Sequence, residues 1–266
     1  MTKLKEHKPS KIEALKAMTP ADRRRAIFDG IMNNAMFIII ALVIIYVAIK
    51  NPRFLSIPSL VNIISLTAAK LPIALGVGGC IILAGTDISA GRQVGLAACI
   101  SAGLQLTTNK LFPGLQILPI PVVLLCVLVA CAMVGFVNGF FMAKFKLHPF
   151  IVTLSTQLIV YGLVLLFMQL GTNGGQTLSG MSEGYRNFII KPLFTLKTSS
   201  GPVTVPRYVL YSTIITAIVW VIWNKTAFGK NMYAVGSNEE AANVSGVNVS
   251  KTIILVFVMA GMLYGI

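Results

Sequence analysis

Apolar runs of about twenty residues alternate with short polar or glycine-containing breaks along most of the chain. The hydrocarbon core of a bilayer is about 30 Å thick and is crossed by about 20 apolar helical residues. Runs at 29–49, 60–84, 88–106, 117–143 and 149–170 reach that length, and 208–224 falls slightly short of it. A seventh run, TIILVFVMAGMLYGI at 252–266, is 15 residues long and has no charged residue after it. A helix ending inside hydrocarbon leaves its last carbonyls unsatisfied, so this run predicts a polypeptide that continues beyond Ile266. The pattern predicts an all-α, polytopic membrane helix bundle with about seven spans in this chain, the last one cut short.

Basic residues orient such a bundle, because cytoplasmic loops are enriched in Lys and Arg. Residues 1–28 carry eight of them, from Lys3 to Arg25, and read as a basic cytoplasmic N-terminal segment. Within it, 10–28 reads equally as a surface amphipathic helix or as a solvated tail. Alternating spans then put 84–92, 144–148 and 225–251 on the same side, which receives 14 of the 22 basic residues. The opposite side receives the long loop 171–207. Tyr208 and Tyr211 at one end of the sixth run, with Trp220 and Trp223 at the other, suit two membrane–water interfaces.

Composition agrees and excludes other classes. Only 11% of residues are charged and 56% are hydrophobic, against roughly 25% charged in a soluble domain. Disorder is excluded by the apolar content. The formal charge of +14 is spread through apolar sequence and makes no phosphate-binding surface, so no nucleic acid is expected. Cys80, Cys99, Cys126 and Cys131 all lie in apolar runs and read as free thiols acting as small hydrophobes, since disulfide frameworks belong to small, loop-rich secreted domains. The stripe Gly91, Gly95, Cys99, Gly103 and the pair Gly135, Gly139 let helix backbones approach closely in lipid; packing within the bundle and contact with a second copy both fit.

The chain has no phosphate-binding G-x-x-x-x-G-K-[ST] loop. Its two histidines, His7 and His148, cannot form an H-E-x-x-H metal site. No catalytic set is visible, and no metal is expected. Uphill movement would draw on an ion gradient or on another polypeptide. Ionisable and polar residues in the spans are then the candidates for a translocation path. Asp87 and Ser89 lie in LAGTDISAG, where two runs meet, and Asp87 serves equally as a path residue or as a helix cap. Asn138, Thr153 and Gln157 supply hydroxyl-compatible donors and acceptors, with hydrogen bonding between helices as the plainer role. Lys70 reads as snorkelling outward or pairing with a polar loop.

The polar loop 225–251 contains Glu239, Glu240, Ala241, Ala242 and Gly246. An acidic start, small residues and a glycine stop describe a short helix, which these residues alone leave open between an ordinary surface helix-turn and a helix laid into a partner's cleft. E-A-A-x-x-x-G resembles the cytoplasmic loop of ABC-importer permease subunits. GTDISAGRQVGLAA at 85–98, GFVNGFFMAKFKLHPFIVTL at 135–154 and WNKTAFGKNMYAVGSNEEAANVSGVNV at 223–249 extend the resemblance over 30–266, to the ribose/galactose branch of sugar ABC permeases. Ser155 departs from a glycine common at that position in the family.

The resemblance implies a multi-pass transport subunit of the plasma (inner) membrane, not an enzyme, with about ten spans in the whole protein. It implies a permease domain over 29–266 whose loop 225–251 couples to an ATP-binding cassette subunit. Glu239, Glu240, Ala241, Ala242 and Gly246 would form the docking helix. ATP and magnesium would sit on that partner, and no cofactor on this chain. An extracytoplasmic sugar-binding protein would deliver galactose, methylgalactoside or a related monosaccharide, and two permease chains would enclose the path. An ion-coupled secondary transporter is the alternative.

Overall fold

A computed structural model describes residues 19–266 apart from 108–111, 113, 115, 171–173 and 199–200. Most of the basic segment 1–28 lies outside the described residues. The chain divides into two compact units, 1–60 and 61–266. In the first, helix α1 (Pro20–Asn33) and helix α2 (Ala35–Lys50) meet at 68°. Thr19 caps α1 by accepting from the Asp22 amide. The break falls at Asn34, whose side-chain amide turns back to the Gly30 carbonyl at 2.8 Å. The run 29–49, expected as one span, is therefore divided between two helices.

The second unit carries α3 (Ile57–Ile82, from Val61 onward), α4 (Ala90–Gln105), α5 (Ile120–Phe145) and α6 (Pro149–Met168). A short helix α7 (Glu183–Ile190) and the antiparallel hairpin β1 (Pro192–Thr198) and β2 (Gly201–Pro206) come next. Then come α8 (Arg207–Lys225), α9 (Ala227–Ser237), α10 (Glu239–Val244) and α11 (Val249–Gly265). Helices α3, α5, α6 and α8 are each long and apolar enough to cross a membrane, and α1 with α2 makes a fifth if counted as one bent span. Of the seven expected spans, the remaining two correspond to α4 and α11, shorter helices of 16 and 17 residues. Helix α4 starts at Ala90, after a turn over 83–89 that carries Asp87 and Ser89, both buried.

Helix α11 lies against α5, and glycine makes the approach possible. A methyl added at Gly135 would run into the Phe257 carbonyl, and one at Gly261 into the Cys131 carbonyl. Phe257, Ala260 and Tyr264 of α11 pack with Cys80, Ala90, Met142 and Val152 to form the core. Cys131 packs with Ala97 and Val127 in a second cluster. All four cysteines are free; Cys80 and Cys131 are buried, whereas Cys126 faces outward.

The turns segregate to two ends of this unit. At one end the α3–α4 turn meets the α5–α6 turn, Gly85 against Pro149, and meets α9, Ile82 against Gly236. At the other, Gln105 bonds to the Leu118 carbonyl and to Ser182, and Thr107 bonds to Gly180. Segments 84–92, 144–148 and 225–251 thus share one end, and residues 180–182 of the long loop sit at the other, as the alternation of basic loops anticipated.

Candidate functional site

Two features stand at the end shared by those three segments. The first is a polar cluster centred on Ser89. Asp87 accepts from the Ser89 amide at 2.9 Å and from its hydroxyl at 2.5 Å. The Ser89 oxygen in turn accepts from Gln93 Nε2 at 2.9 Å and from Asn138 Nδ2 at 3.1 Å. Thr153 Oγ1, on α6, receives the Ile88 amide at 3.3 Å and donates to Pro149 O at 2.9 Å. Three helices and one turn are thereby tied by Asp87, Ser89, Gln93, Asn138 and Thr153, all of them buried.

Several polar atoms of the cluster are left unpaired. Asp87 Oδ2, Gln93 Oε1 and Asn138 Oδ1 have no hydrogen-bond donor among the described residues, and the Tyr264 hydroxyl likewise makes no bond. The Tyr264 hydroxyl stands close to Asp87 and favours the charged form of its carboxyl. No ion pair with Asp87 occurs among the described residues. Burial pushes its carboxyl above the ordinary carboxylate range, partly opposed by the two hydrogen bonds from Ser89.

Asp87, Ser89, Asn138 and Thr153, for which the sequence offers a path role or a structural one, are enclosed in this packing. Gln157 is the exception: it lines an open cleft of about 380 Å³ with Ile88, Gly91 and Arg92. The Arg92 guanidinium lies 4.2 Å from the centre of the Tyr161 ring, in cation–π contact. Of the packing glycines, Gly135 and Gly139 face the α11 backbone, whereas an added methyl at Gly91 or Gly95 would meet nothing within 4 Å. Lys70 is exposed. Gln93, Tyr161 and Tyr264 escaped the sequence reading; only Gln93, a lone amide in small-residue sequence, carried a signal.

The second feature is α10. Asn238 accepts from the Ala241 amide at 2.9 Å and caps its N-terminus. Gly246, at φ +84°, closes its C-terminus. The Gly246 amide bonds to Asn243 O and the Val247 amide to Ala242 O, both at 3.0 Å, the paired bonds of a Schellman stop. Glu239, Glu240, Ala241 and Asn243 are exposed, Ala242 is buried, and Val244 is 90% exposed. Six residues are too few for an independently stable helix; the caps and the buried Ala242 hold it. It presents two carboxylates and an uncovered valine outward.

Residues 59–266 match the family described as branched-chain amino acid transport system / permease component. The chain belongs to this permease family. Within it the chain lies with the ribose/galactose branch of sugar ABC permeases. It is 39% identical over 240 residues to the galactose/methyl galactoside import permease protein MglC of Haemophilus influenzae, covering 89% of this chain and 69% of that one. It is 36% identical over 244 residues to MglC of Escherichia coli, covering 91% and 70%. The ribose import permease protein RbsC of Bacillus subtilis is 30% identical over 249 residues, covering 91% and 69%. No solved structure matches. The permease is accordingly a multi-pass helical protein of the plasma membrane, a transport component and not an enzyme.

Proposed function

We propose that this permease is the membrane-spanning subunit of an ATP-driven importer for a monosaccharide, galactose, methyl galactoside or a related sugar. The observation that carries this reading is α10: a helix capped at both ends, exposed, acidic at its start, at the end of the bundle that gathers the basic loops. Relatives named as galactose and ribose import permeases support the sugar class. The concentration of Lys and Arg puts that end, and the N-terminus, in the cytoplasm, with about seven passages through the membrane in this chain.

In this mechanism an ATP-binding cassette subunit, carrying ATP and magnesium, grips α10. Its closure on ATP moves the loop 225–251 and switches the bundle between outward and inward openings. A second copy of the permease completes the path, and an extracytoplasmic binding protein delivers sugar. Selection at that binding protein leaves the permease free of a tight sugar site. Ion coupling is less favoured: Asp87 is the buried carboxylate among the described residues, and its one bonded oxygen is engaged by Ser89.

Co-reconstitution of the full-length permease with its ATPase tests the reading. Adding binding protein loaded with galactose should raise ATP hydrolysis several-fold, with ribose- and glucose-loaded forms ranking the sugars. An assembled complex whose hydrolysis ignores every loaded binding protein would overturn it.

A further inference from the structure

Helix α9 touches the end of α3 without any side chain between them. A methyl added at Gly236 would collide with the Ile82 carbonyl oxygen, and would stand 2.8 Å from the Ile82 carbonyl carbon and 3.1 Å from the Leu83 Cα. Side chains at a contact can change rotamer and absorb a small displacement; backbone against backbone cannot. A second attachment flanks this one. The Trp223 ring, at the end of α8, lies 3.5 Å from where a methyl on Gly78 would sit and 3.4 Å from one on Gly79.

Ile82 is the last residue of α3, and the chain leaves it through a strained turn. Ala84 N bonds to Ile81 O at 2.9 Å and Gly85 N to Cys80 O at 3.0 Å, the same helix stop that ends α10. Here the left-handed position is occupied by Ala84 at φ +55°, not by glycine. An alanine there is disfavoured by about 1 kcal/mol and is held by its surroundings. The turn leads directly to Asp87 and Ser89, hence to Gln93 on α4, Asn138 on α5 and Thr153 on α6. A displacement of α9 must either part the Gly236–Ile82 contact or move the end of α3 and, with it, the Ser89 cluster.

We propose that Gly236 is a positioning residue: its backbone contact with Ile82 is the joint through which the 227–248 segment moves the 82–89 turn and the polar cluster joining α4, α5 and α6. The inference rests on the reading of α10 as the ATPase docking helix. Strain at Ala84 suits the turn to two arrangements, and the cluster, with its unpaired polar atoms, is the point at which hydrogen bonds can be exchanged between them.

The test is hydrogen–deuterium exchange on the full-length permease bound to its ATPase in nanodiscs, with and without ATP under non-hydrolysing conditions. Amides of 239–246 and of 82–89 should change protection together on ATP binding. In Gly236→Ala the change at 239–246 should persist, that at 82–89 should shrink at least fivefold, and sugar uptake should drop at least tenfold with ATPase association intact. In the wild-type complex, which needs no variant to fold, a response at 239–246 with none at 82–89 overturns the joint alone. No response at 239–246 overturns the docking reading and the joint with it.

Discussion

Gly139 on α5 faces the backbone of Ile254 on α11 so closely that an added methyl would stand 2.7 Å from the Ile254 Cα. One turn earlier, Gly135 faces the Phe257 carbonyl in the same way. The G-x-x-x-G pair is thus filled within this chain. Substitution should force the helices apart, and overpacking of this kind costs about 1–3 kcal/mol. Gly135→Ala should lower the thermal midpoint of the detergent-solubilised permease by several degrees. Gly95→Ala, which meets open space, should leave it unchanged or raise it slightly, because alanine is the better helix former.

The Ser89 cluster gives a pH-dependent prediction. The Asp87 carboxyl is raised by burial, so the folded protein holds this proton more tightly than the unfolded chain does. The sign follows from linkage: between the ordinary carboxylate value, about 4, and the raised folded value, stability falls as pH rises. Wild-type permease should therefore gain stability on acidification toward the ordinary carboxylate range relative to Asp87→Asn. A difference between the two melting curves that is flat with pH would contradict this. Asn138→Ala removes a donor to Ser89 Oγ and should destabilise by about 1–3 kcal/mol.

Ala84 offers a stabilising substitution. Its left-handed backbone is the conformation that glycine tolerates best. Ala84→Gly should raise the thermal midpoint, by about 1 kcal/mol in free energy, read by thermal unfolding. If the strain also serves switching, the same variant should slow uptake while improving stability.

Docking by α10 predicts that Glu240→Lys weakens ATPase association at least tenfold while membrane insertion and the thermal midpoint stay as in wild type. Asn238→Ala should instead loosen the helix itself, by about 1 kcal/mol, and appear as faster amide exchange over 239–246. Equal affinity of wild type and Glu240→Lys for the ATPase would remove α10 from the docking surface.

Much of this was legible from periodicity. Apolar length located the long helices of the bundle, and the alternation of basic loops put 84–92, 144–148 and 225–251 at one end. The stop at Gly246 was readable because glycine tolerates a left-handed residue cheaply. The features that stayed hidden depended on contacts distant in sequence. Nothing in GTDISAG or GFVNGFF tells that Asn138 and Ser89 bond to each other, so for both a path role and a structural one stayed open. The brevity of α4 and the break at Asn34 were hidden likewise, because hydropathy does not register a polar side chain that bonds to a nearby backbone or to a buried cluster. Equivalent glycines in a stripe, Gly95 and Gly135, cannot be told apart by spacing; only the partner helix distinguishes them.

Permeation driven by ATP through this chain is tested most directly by uptake into proteoliposomes. The full-length permease, its ATPase and the galactose-loaded binding protein are reconstituted with ATP on the ATPase side, and labelled galactose is followed with and without ionophores. ATP-driven permeation predicts accumulation that requires ATP and is indifferent to ionophores. Accumulation without ATP that collapses when ion gradients are dissipated would contradict it.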